Sequence, residues 1–278
     1  MLPSLEQGSM PMADPAVPLL QARGLGMDFG NGPVLDGIDV DLRPGTMVGL
    51  IGPNGAGKTT LLSLLMGLFS ASAGEVRVAG RPVSALSRRR LARIMALVPQ
   101  DLEIGFAFRV REVVAMGRYP YLGRFQVAGA ADLVAMDEAM ALTGVDVLAD
   151  RTIDTLSGGE RQRVLIARAI AQQTPVVLLD EVTANLDLSH QLEVLELAAH
   201  MAAEGRLVVA AIHDLTMASR YCGRLLLLAG GRLQVDGPAR AVLTPAHLRR
   251  FFGVDASIDE APGHSGLIIT PRLPTTAA

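Results

Sequence analysis

The chain has 278 residues, half of which are hydrophobic, and its 25 basic and 28 acidic side chains leave a formal net charge of −3. This length accommodates one large or two small domains with a sizeable core. The near balance of charge argues against a nucleic acid as partner, because nucleic-acid-binding proteins carry a strongly basic surface. The single cysteine, Cys222, excludes an intrachain disulfide and fits a reducing compartment.

The N-terminus and the apolar runs predict where the protein resides. Residues 1–18 contain four prolines and have neither the basic start nor the continuous apolar stretch of a signal peptide. Apolar runs such as 207–212 are far shorter than the ~18 residues that cross a bilayer. We therefore expect a loose tail over residues 1–18 and a soluble protein on the cytoplasmic side of the membrane.

The order of strand and helix patterns predicts an α/β fold. Over residues 19–43 polar and apolar residues alternate around a turn at 30–33, which is typical of antiparallel strands. Buried strands are predicted at 47–51, 176–179 and 207–212. Each is followed by a loop and a helical pattern, and this alternation indicates a parallel sheet with crossover helices.

Two regions depart from this alternation. From about residue 101 to 173 the periodicity is mostly helical, which predicts a helical subdomain inserted in the α/β core. Beyond Phe252 the sequence is typical of irregular chain. The predicted organisation is therefore a tail over 1–18, one domain over 19–252 and a C-terminal extension over 253–278.

A glycine-rich stretch, GPNGAGKTT at 52–60, lies between the predicted strand 47–51 and a helical pattern. It satisfies the template G-x-x-x-x-G-K-[ST] of phosphate-binding loops. Glycines bring backbone N–H groups close to an anion, and the following helix adds the positive end of its dipole. We expect Lys58 to reach the β- and γ-phosphates of a nucleotide and the Thr59 hydroxyl to bind Mg²⁺. The candidate nucleotide contacts are Gly52, Pro53, Asn54, Gly55, Ala56, Gly57, Lys58, Thr59 and Thr60.

Two carboxylates end the apolar strand at 176–179. Because open α/β sheets bind ligands at the carboxyl ends of their strands, Asp180 and Glu181 are expected near the phosphates. Asp180 is suited to hold Mg²⁺ through water, and Glu181 to accept a proton from an attacking water. His213 follows the next predicted buried strand and is expected beside the same phosphates. The other four histidines are assigned no role.

A second phosphate-binding pattern is LSGGE at 156–160, directly before a long helical pattern. Ser157 is a good N-cap and a hydroxyl donor to phosphate, while Gly158 and Gly159 expose N–H groups at the positive end of the helix. Two helix-start phosphate sites in one chain predict a dimer. Each nucleotide would lie between the loop 52–60 of one copy and the serine–glycine turn of the other.

Together these motifs resemble those of the ATP-binding cassette (ABC) family, the ATPase subunits of ABC transporters, over roughly residues 18–252. GPNGAGKTT resembles the Walker A motif, LSGGE the family signature and VVLLDE the Walker B motif with its catalytic glutamate. The same match extends to four further features: Gln100 resembles the Q-loop glutamine, Asn185-Leu186-Asp187 the D-loop, His213 the switch histidine, and Phe29 the aromatic that stacks on adenine. Val182 departs from the family, which usually has proline after the glutamate.

The resemblance implies a fold and a mechanism. The fold is α/β, with a P-loop NTPase core, an N-terminal antiparallel β subdomain and an inserted helical subdomain. The mechanism is a head-to-tail homodimer that clamps two ATP molecules with Mg²⁺, so that Ser157 and Gly159 of one copy face the γ-phosphate held by Lys58 of the other. Glu181 deprotonates water, and His213 and Gln100 sense the γ-phosphate. The implied Mg²⁺ ligands are Thr59, Gln100 and Asp180, and the implied further nucleotide contacts are Gly158, Glu160 and Asp187.

The likeness also suggests a partner and a class of cargo. Because the chain has no predicted membrane span, the resemblance implies that ATP hydrolysis would drive a separate membrane permease. The chain would dock on this permease near its helical subdomain, at the cytoplasmic face of the inner membrane, and a binding protein would supply the cargo. Residues 108–121 are similar to the segment after the Q-loop in importers of ferric siderophores, haem and cobalamin, which often read V-x-E-V-V-x-M-G-R-x-P. The proline and paired threonines of the loop 52–60 favour siderophore and cobalamin members over haem members.

The motifs are also compatible with other functions. An ABC ATPase could serve another cargo or no transport at all, as in iron–sulfur assembly or DNA repair. The roughly 120 residues between Lys58 and Asp180 leave no room for the long coiled coil usual in DNA-repair members. A plain P-loop kinase would share the glycine-rich loop but has no reason to carry LSGGE.

Overall fold

The computed structural model describes residues 18–100, 106–183, 186–260 and 266–273. Apart from Pro18, the expected N-terminal tail lies outside the described residues, as does Asn185 of the predicted D-loop. The strands are β1 Leu20–Asp28, β2 Pro33–Leu42, β3 Met47–Ile51, β4 Ala73–Val78, β5 Arg81–Pro82, β6 Met95–Val98, β7 Val176–Asp180, β8 Leu207–Ala211, β9 Arg224–Ala229, β10 Arg232–Gly237, β11 Asp255–Glu260 and β12 Leu267–Arg272.

Helices connect and cover these strands. They are α1 Lys58–Leu65, α2 Arg88–Leu91, α3 Val110–Ala115, α4 Ala130–Leu142, α5 Gly158–Ala171, α6 Leu188–Ala203, α7 Leu215–Tyr221, α8 Ala239–Val242 and α9 Pro245–His247. A π-helical turn, Leu248–Phe252, continues α9. Short 3₁₀ turns occupy Val83–Ala85, Met116–Arg118, Asp146–Leu148 and Ile153–Thr155.

The central sheet has the strand order β10-β9-β3-β8-β7-β6. All neighbours are parallel except the hairpin of β9 and β10. Strands β3, β7 and β8 are buried at every position, which explains why they read as continuous apolar runs. Their carboxyl ends lie at one edge, where the loop 52–57, Glu181 and His213 follow.

A second, antiparallel sheet has the order β2-β1-β4-β5. Its first two strands pair from Leu20 opposite Leu42 to Asp28 opposite Pro33, as the alternation over residues 19–43 predicted. The antiparallel sheet, the parallel core and the helices between β6 and β7 together confirm the predicted α/β fold.

Two apolar cores lie on opposite faces of the central sheet, because side chains alternate along each strand. On one face Val48 and Leu178 pack with the leucines of α1 and with the antiparallel sheet. On the other face Met47 and Val177 pack with α3 to α7. The helices α3, α4 and α5 contribute buried residues to this second core, in the region where helical periodicity dominates the sequence.

The C-terminal extension differs from the irregular chain expected beyond Phe252. Strands β11 and β12 pair antiparallel in register from Asp255 opposite Arg272 to Glu260 opposite Leu267. The hairpin packs on α7, where Ser219 Oγ accepts a hydrogen bond from the backbone N–H of Leu267 at 2.8 Å. Each strand has only six residues and mixed polarity, so its alternation is too short to stand out in the sequence. In the part of the chain that the structure describes, no helix combines the length and apolar character that a bilayer span requires.

Gly49 is required by packing within β3. A Cβ at this position would lie 2.6 Å from Leu225 Cδ2 and 2.9 Å from Cys222 Sγ. We expect Gly49→Ala to lower the free energy of unfolding by about 1–3 kcal/mol, since overpacking forces neighbours off their preferred geometry. Urea unfolding followed by circular dichroism measures the change. Gly237→Ala is the control, because there the nearest heavy atom to a Cβ is 3.6 Å away; equal stability of the two variants would contradict the packing account.

Candidate nucleotide-binding site

In the loop between β3 and α1, glycine is favoured by a positive φ and, at two positions, also by the lack of space for a side chain. Gly52 has φ +155°, and a Cβ there would lie 2.0 Å from the carbonyl oxygen of Leu228 in β9. Gly57 has φ +98°, and its Cβ would lie 2.8 Å from Leu35 Cδ2. Gly55 has φ +77° but no heavy atom within 4 Å of a Cβ. The loop is therefore fixed against its neighbours at both ends and open in the middle.

Lys58 begins α1 and lies inside this loop. Its side chain is buried, and Nζ donates hydrogen bonds to the carbonyl oxygens of Gly52 at 3.1 Å and Pro53 at 3.4 Å. Nζ is also 3.6 Å from Glu181 Oε1, beyond the end of β7. The ammonium group therefore stands between the glycine loop and the predicted catalytic carboxylate, where it can neutralise phosphate charge.

Thr59 and Asp180, two of the three predicted magnesium ligands, are in contact. Thr59 Oγ1 donates a hydrogen bond to Asp180 Oδ1 at 3.2 Å, and Asp180 is buried at the end of β7. Burial raises the pKa of the Asp180 carboxyl, whereas the Thr59 hydroxyl lowers it. A hydroxyl and a carboxylate side by side are hard oxygen ligands, so this pair fits Mg²⁺ by its chemistry.

Glu181 occupies a strained backbone position between Lys58 and His213. Its φ is +50°, in the left-handed region that costs a residue with a side chain roughly 1–2 kcal/mol. Its Oε1 lies 2.6 Å from His213 Nε2, and the Glu181 side chain is 12% exposed against 44% for that of His213. The next residue, Val182, is buried in the core beside the helices. A buried valine after the glutamate thus anchors the strained turn from the apolar side.

The signature turn is built as a helix cap. Ser157 is the N-cap of α5, and its Oγ accepts a hydrogen bond from the Glu160 N–H at 3.3 Å. The Glu160 carboxylate in turn accepts bonds from the Ser157 N–H and hydroxyl, both at 2.8 Å. The backbone N–H of Ser157 is the main reason why the pKa of Glu160 is lowered. Glu160 was predicted to contact nucleotide, and in this structure it orients the Ser157 hydroxyl.

The remaining predicted residues lie at the ends of strands or helices. Gln100 is exposed just after β6, and Phe29 follows β1, 54% exposed and edge-to-face with Phe69 at a centroid distance of 5.8 Å. Asp187 is the N-cap of α6 and accepts a hydrogen bond from the His190 N–H at 3.0 Å.

The described residues thus form two groups. The first brings together the loop 52–57, Lys58, the Thr59–Asp180 pair and the Glu181–His213 pair. In the second group the signature turn lies against the start of α6: a Cβ on Gly159 would be 3.5 Å from Leu186 Cδ2 and 4.0 Å from His190 Nδ1. His190 was assigned no role from the sequence. The spacing Asp187-x-x-His190 at a helix start could have indicated it, because a side chain three residues after an N-cap aspartate can reach the cap.

The fold and the first group of residues define a P-loop NTPase. Residues 35–184, more than half of the chain, match the ABC transporter family. This chain belongs to that family.

Sequence relatives carry the names of import ATP-binding proteins. The chain is 46% identical to the cobalamin import ATP-binding protein BtuD of Halobacterium salinarum over 260 residues, which are 93% of this chain and 65% of the relative. It therefore spans less than two thirds of that relative. It is 44% identical to the hemin import ATP-binding protein HmuV of Streptomyces coelicolor over 262 residues, 94% of this chain and 93% of the relative.

Solved structures of ABC transporters share the fold. A chain of a metal-chelate type ABC transporter in an inward-facing conformation superposes with a TM-score of 0.79 at 28% identity, covering 92% of this chain and 97% of the other. CbiO1 of Clostridium perfringens, part of the transporter complex cbiONQ, gives a TM-score of 0.72 at 26% identity, with 84% and 94% covered.

Substitutions of Gly52 and Gly55 are expected to have different effects on ATP binding. We expect Gly52→Ala to abolish saturable ATP binding, because its Cβ would overlap the Leu228 carbonyl and displace the loop. Gly55→Ala should bind ATP within about tenfold of the unmodified protein, since it meets no neighbour and only the left-handed backbone disfavours it. Titration with a fluorescent ATP analogue measures both, and far-ultraviolet circular dichroism checks folding. Equal affinities would contradict the requirement for glycine at residue 52.

Proposed function

We propose that this chain is the ATP-hydrolysing subunit of an ABC importer that powers uptake of haem, cobalamin or a ferric siderophore through a separate membrane permease. The observation that carries the proposal is the cluster of Lys58, Glu181 and His213 beside the glycine loop. It unites a phosphate-binding cation with a carboxylate and an imidazole at the ends of adjacent strands. The names of the relatives then suggest the kind of transport.

Glu181 is the general base of the proposed hydrolysis. Its carboxylate accepts a proton from the attacking water, and the oxygen of that water attacks the γ-phosphorus as the bond to the β-phosphate oxygen breaks. Lys58 stabilises the charge on the phosphates. His213, 2.6 Å from Glu181 Oε1, holds the carboxylate in a defined orientation and is proposed to sense the γ-phosphate. Gln100 is proposed to sense the same phosphate.

Magnesium is the proposed cofactor. The Thr59 hydroxyl and the Asp180 carboxylate would hold it, with Gln100 as the third predicted ligand. When bound, the ion would neutralise charge on the β- and γ-phosphate oxygens. The side chain of Phe29, exposed at the end of β1, is proposed to stack on the adenine.

A homodimer is proposed to complete the site. The signature turn holds the Ser157 hydroxyl and the first N–H groups of α5 at the surface, capped by Glu160. Among the described residues, the nearest neighbours that a Cβ on Gly159 would meet are Leu186 and His190, not the loop 52–57. We therefore propose that Ser157, Gly158, Gly159 and Asp187 serve the nucleotide of a second copy.

A cleft beside the helices is the proposed docking site of the permease. It measures about 460 Å³ and is lined by apolar and cationic residues, among them Met66, Leu68, Leu97, Met116, Tyr119 and Arg89. Tyr119 is 60% exposed and Leu68 49% exposed. Large apolar side chains that remain in water at a concave surface are typical of a partner site. A permease bound here would hold the subunit peripherally at the cytoplasmic face of the membrane.

The segment 116–121, part of which lines this cleft, is hydrogen-bonded to the end of α5, the helix that begins at the signature turn. The buried Arg118 donates hydrogen bonds to Asp132 Oδ1 and to the Ala171 carbonyl at the end of α5, both at 2.8 Å. Tyr121 Oη donates to the Gln172 carbonyl at 2.8 Å. Movement of the permease would therefore reach α5 through buried polar contacts.

The cargo is proposed as a class. Relatives named for cobalamin and for hemin are 46% and 44% identical to this chain, so their similarity does not favour cobalamin over haem. The metal-chelate transporter among the structural neighbours is consistent with the same class. A non-transport ABC ATPase is the alternative, and uptake measurements distinguish the two.

Glu181→Gln tests the catalytic assignment. Without its general base the protein should lose about 10²–10⁴-fold in ATP hydrolysis while it still binds ATP, because Lys58 and the glycine loop are unchanged. Phosphate release measures hydrolysis, and a filter assay with labelled ATP measures binding. Glu204→Gln is the control, since Glu204 lies at the far end of α6 with 52% side-chain exposure. Hydrolysis by Glu181→Gln at the unmodified rate would rule out Glu181 as the base.

Uptake of labelled haem, cobalamin and a ferric siderophore tests the transport assignment. Cells that depend on this chain should lose uptake of one of these cargoes when it is replaced by the Glu181→Gln form. If all three uptakes persisted while ATP hydrolysis was lost, the import function would be wrong and the ATPase assignment would stand.

A further inference from the structure

His190 lies where two loops of the proposed dimer surface meet. It belongs to the first turn of α6, whose N-cap is Asp187, and its side chain is 30% exposed. Above it lies the signature turn, since a Cβ on Gly159 would be 4.0 Å from His190 Nδ1. The same ring therefore contacts the aspartate of one loop and lies beside Gly159 of the other.

Three donors converge on a single oxygen of Asp187. The His190 N–H and the Ser189 hydroxyl each lie 3.0 Å from Oδ1, and His190 Nδ1 lies 2.7 Å from it. A carboxylate oxygen only accepts, so the His190 ring must carry its proton on Nδ1 at this contact. The backbone N–H of His190, followed by the Ser189 hydroxyl, lowers the pKa of Asp187. Its carboxylate is thereby fixed in orientation although 64% of the side chain is exposed.

We propose that His190 is a positioning residue for ATP hydrolysis: its Nδ1–H orients Asp187, and its ring supports Gly159, so that both loops face the second copy in a fixed relation. The proposal rests on the dimer described above. It acts through Asp187 and Gly159 and requires no contact between His190 and the nucleotide. The helices α5 and α6 both begin here, so a shift of one start would misalign the other.

Two substitutions distinguish the contribution of the Nδ1 hydrogen-bond donor from that of the volume of the ring. His190→Phe keeps an aromatic ring under Gly159 but removes the Nδ1 donor. His190→Asn places an amide N–H close to the position of Nδ1 and can still donate to Asp187. His200→Ala is the matched control, because His200 belongs to the same helix, is 64% exposed and contacts Glu204.

ATP-dependent dimerisation is the readout. In the Glu181→Gln background, sedimentation gives the ATP concentration at half-maximal dimer. His190→Phe should raise it about tenfold, the fold-change of one lost hydrogen bond to a charged group. His190→Asn and His200→Ala should leave it within about twofold, and ATP binding to the monomer should not change.

The outcomes are distinguishable. Weak dimerisation of His190→Phe together with normal dimerisation of His190→Asn supports the proposal. If His190→Phe dimerised like the parent, or if both substitutions weakened the dimer equally, the donor role would be overturned. If the Glu181→Gln parent itself failed to dimerise with ATP, the proposed dimer would be wrong, and this inference with it.

Discussion

The parallel alignment of β3, β7 and β8 is the constraint on which the site depends. Because these strands run in the same direction, the glycine loop, Glu181 and His213 leave the sheet at one edge. Burial of the strands on both faces fixes their register, and a strand that slipped by one residue would exchange its two buried faces. The 3.6 Å approach of Lys58 to Glu181 and the 2.6 Å approach of His213 follow from that register.

Backbone strain at Glu181 and burial of the residues on either side of it contribute to the arrangement of Lys58, Glu181 and His213. Glu181 takes a left-handed backbone, and its neighbours Asp180 and Val182 are both buried. Packing on either side therefore stabilises a conformation that an isolated turn would avoid. This arrangement turns the Glu181 carboxylate toward Lys58 and His213 instead of leaving it with Asp180 and Thr59. Two adjacent carboxylates thus face two different sets of partners.

Much of the fold and of the site could be predicted from the sequence, for identifiable reasons. Continuous apolar runs indicated the buried strands, and the glycine loop, the acidic pair and LSGGE stand at fixed spacings with direct chemical meaning. The hairpin of β11 and β12 was missed because its strands are short and mixed in polarity. The spacing Ser157-x-x-Glu160 is that of a capping box and could have indicated the capping role of Glu160, whereas the position of His190 beside Gly159 depends on how two helix starts pack in three dimensions.

Each catalytic site of the proposed dimer is shared between two copies of the chain. Lys58→Ala and Ser157→Arg should each be inactive alone, the first for lack of the phosphate cation and the second for steric blocking of the signature turn. If sites are shared, mixed dimers contain one site with both residues intact, so an equimolar mixture should recover about a quarter of the unmodified ATPase activity. Phosphate release from such a mixture is the most direct measurement. Recovery on mixing would support the shared site, and a mixture as inactive as its two components would contradict it.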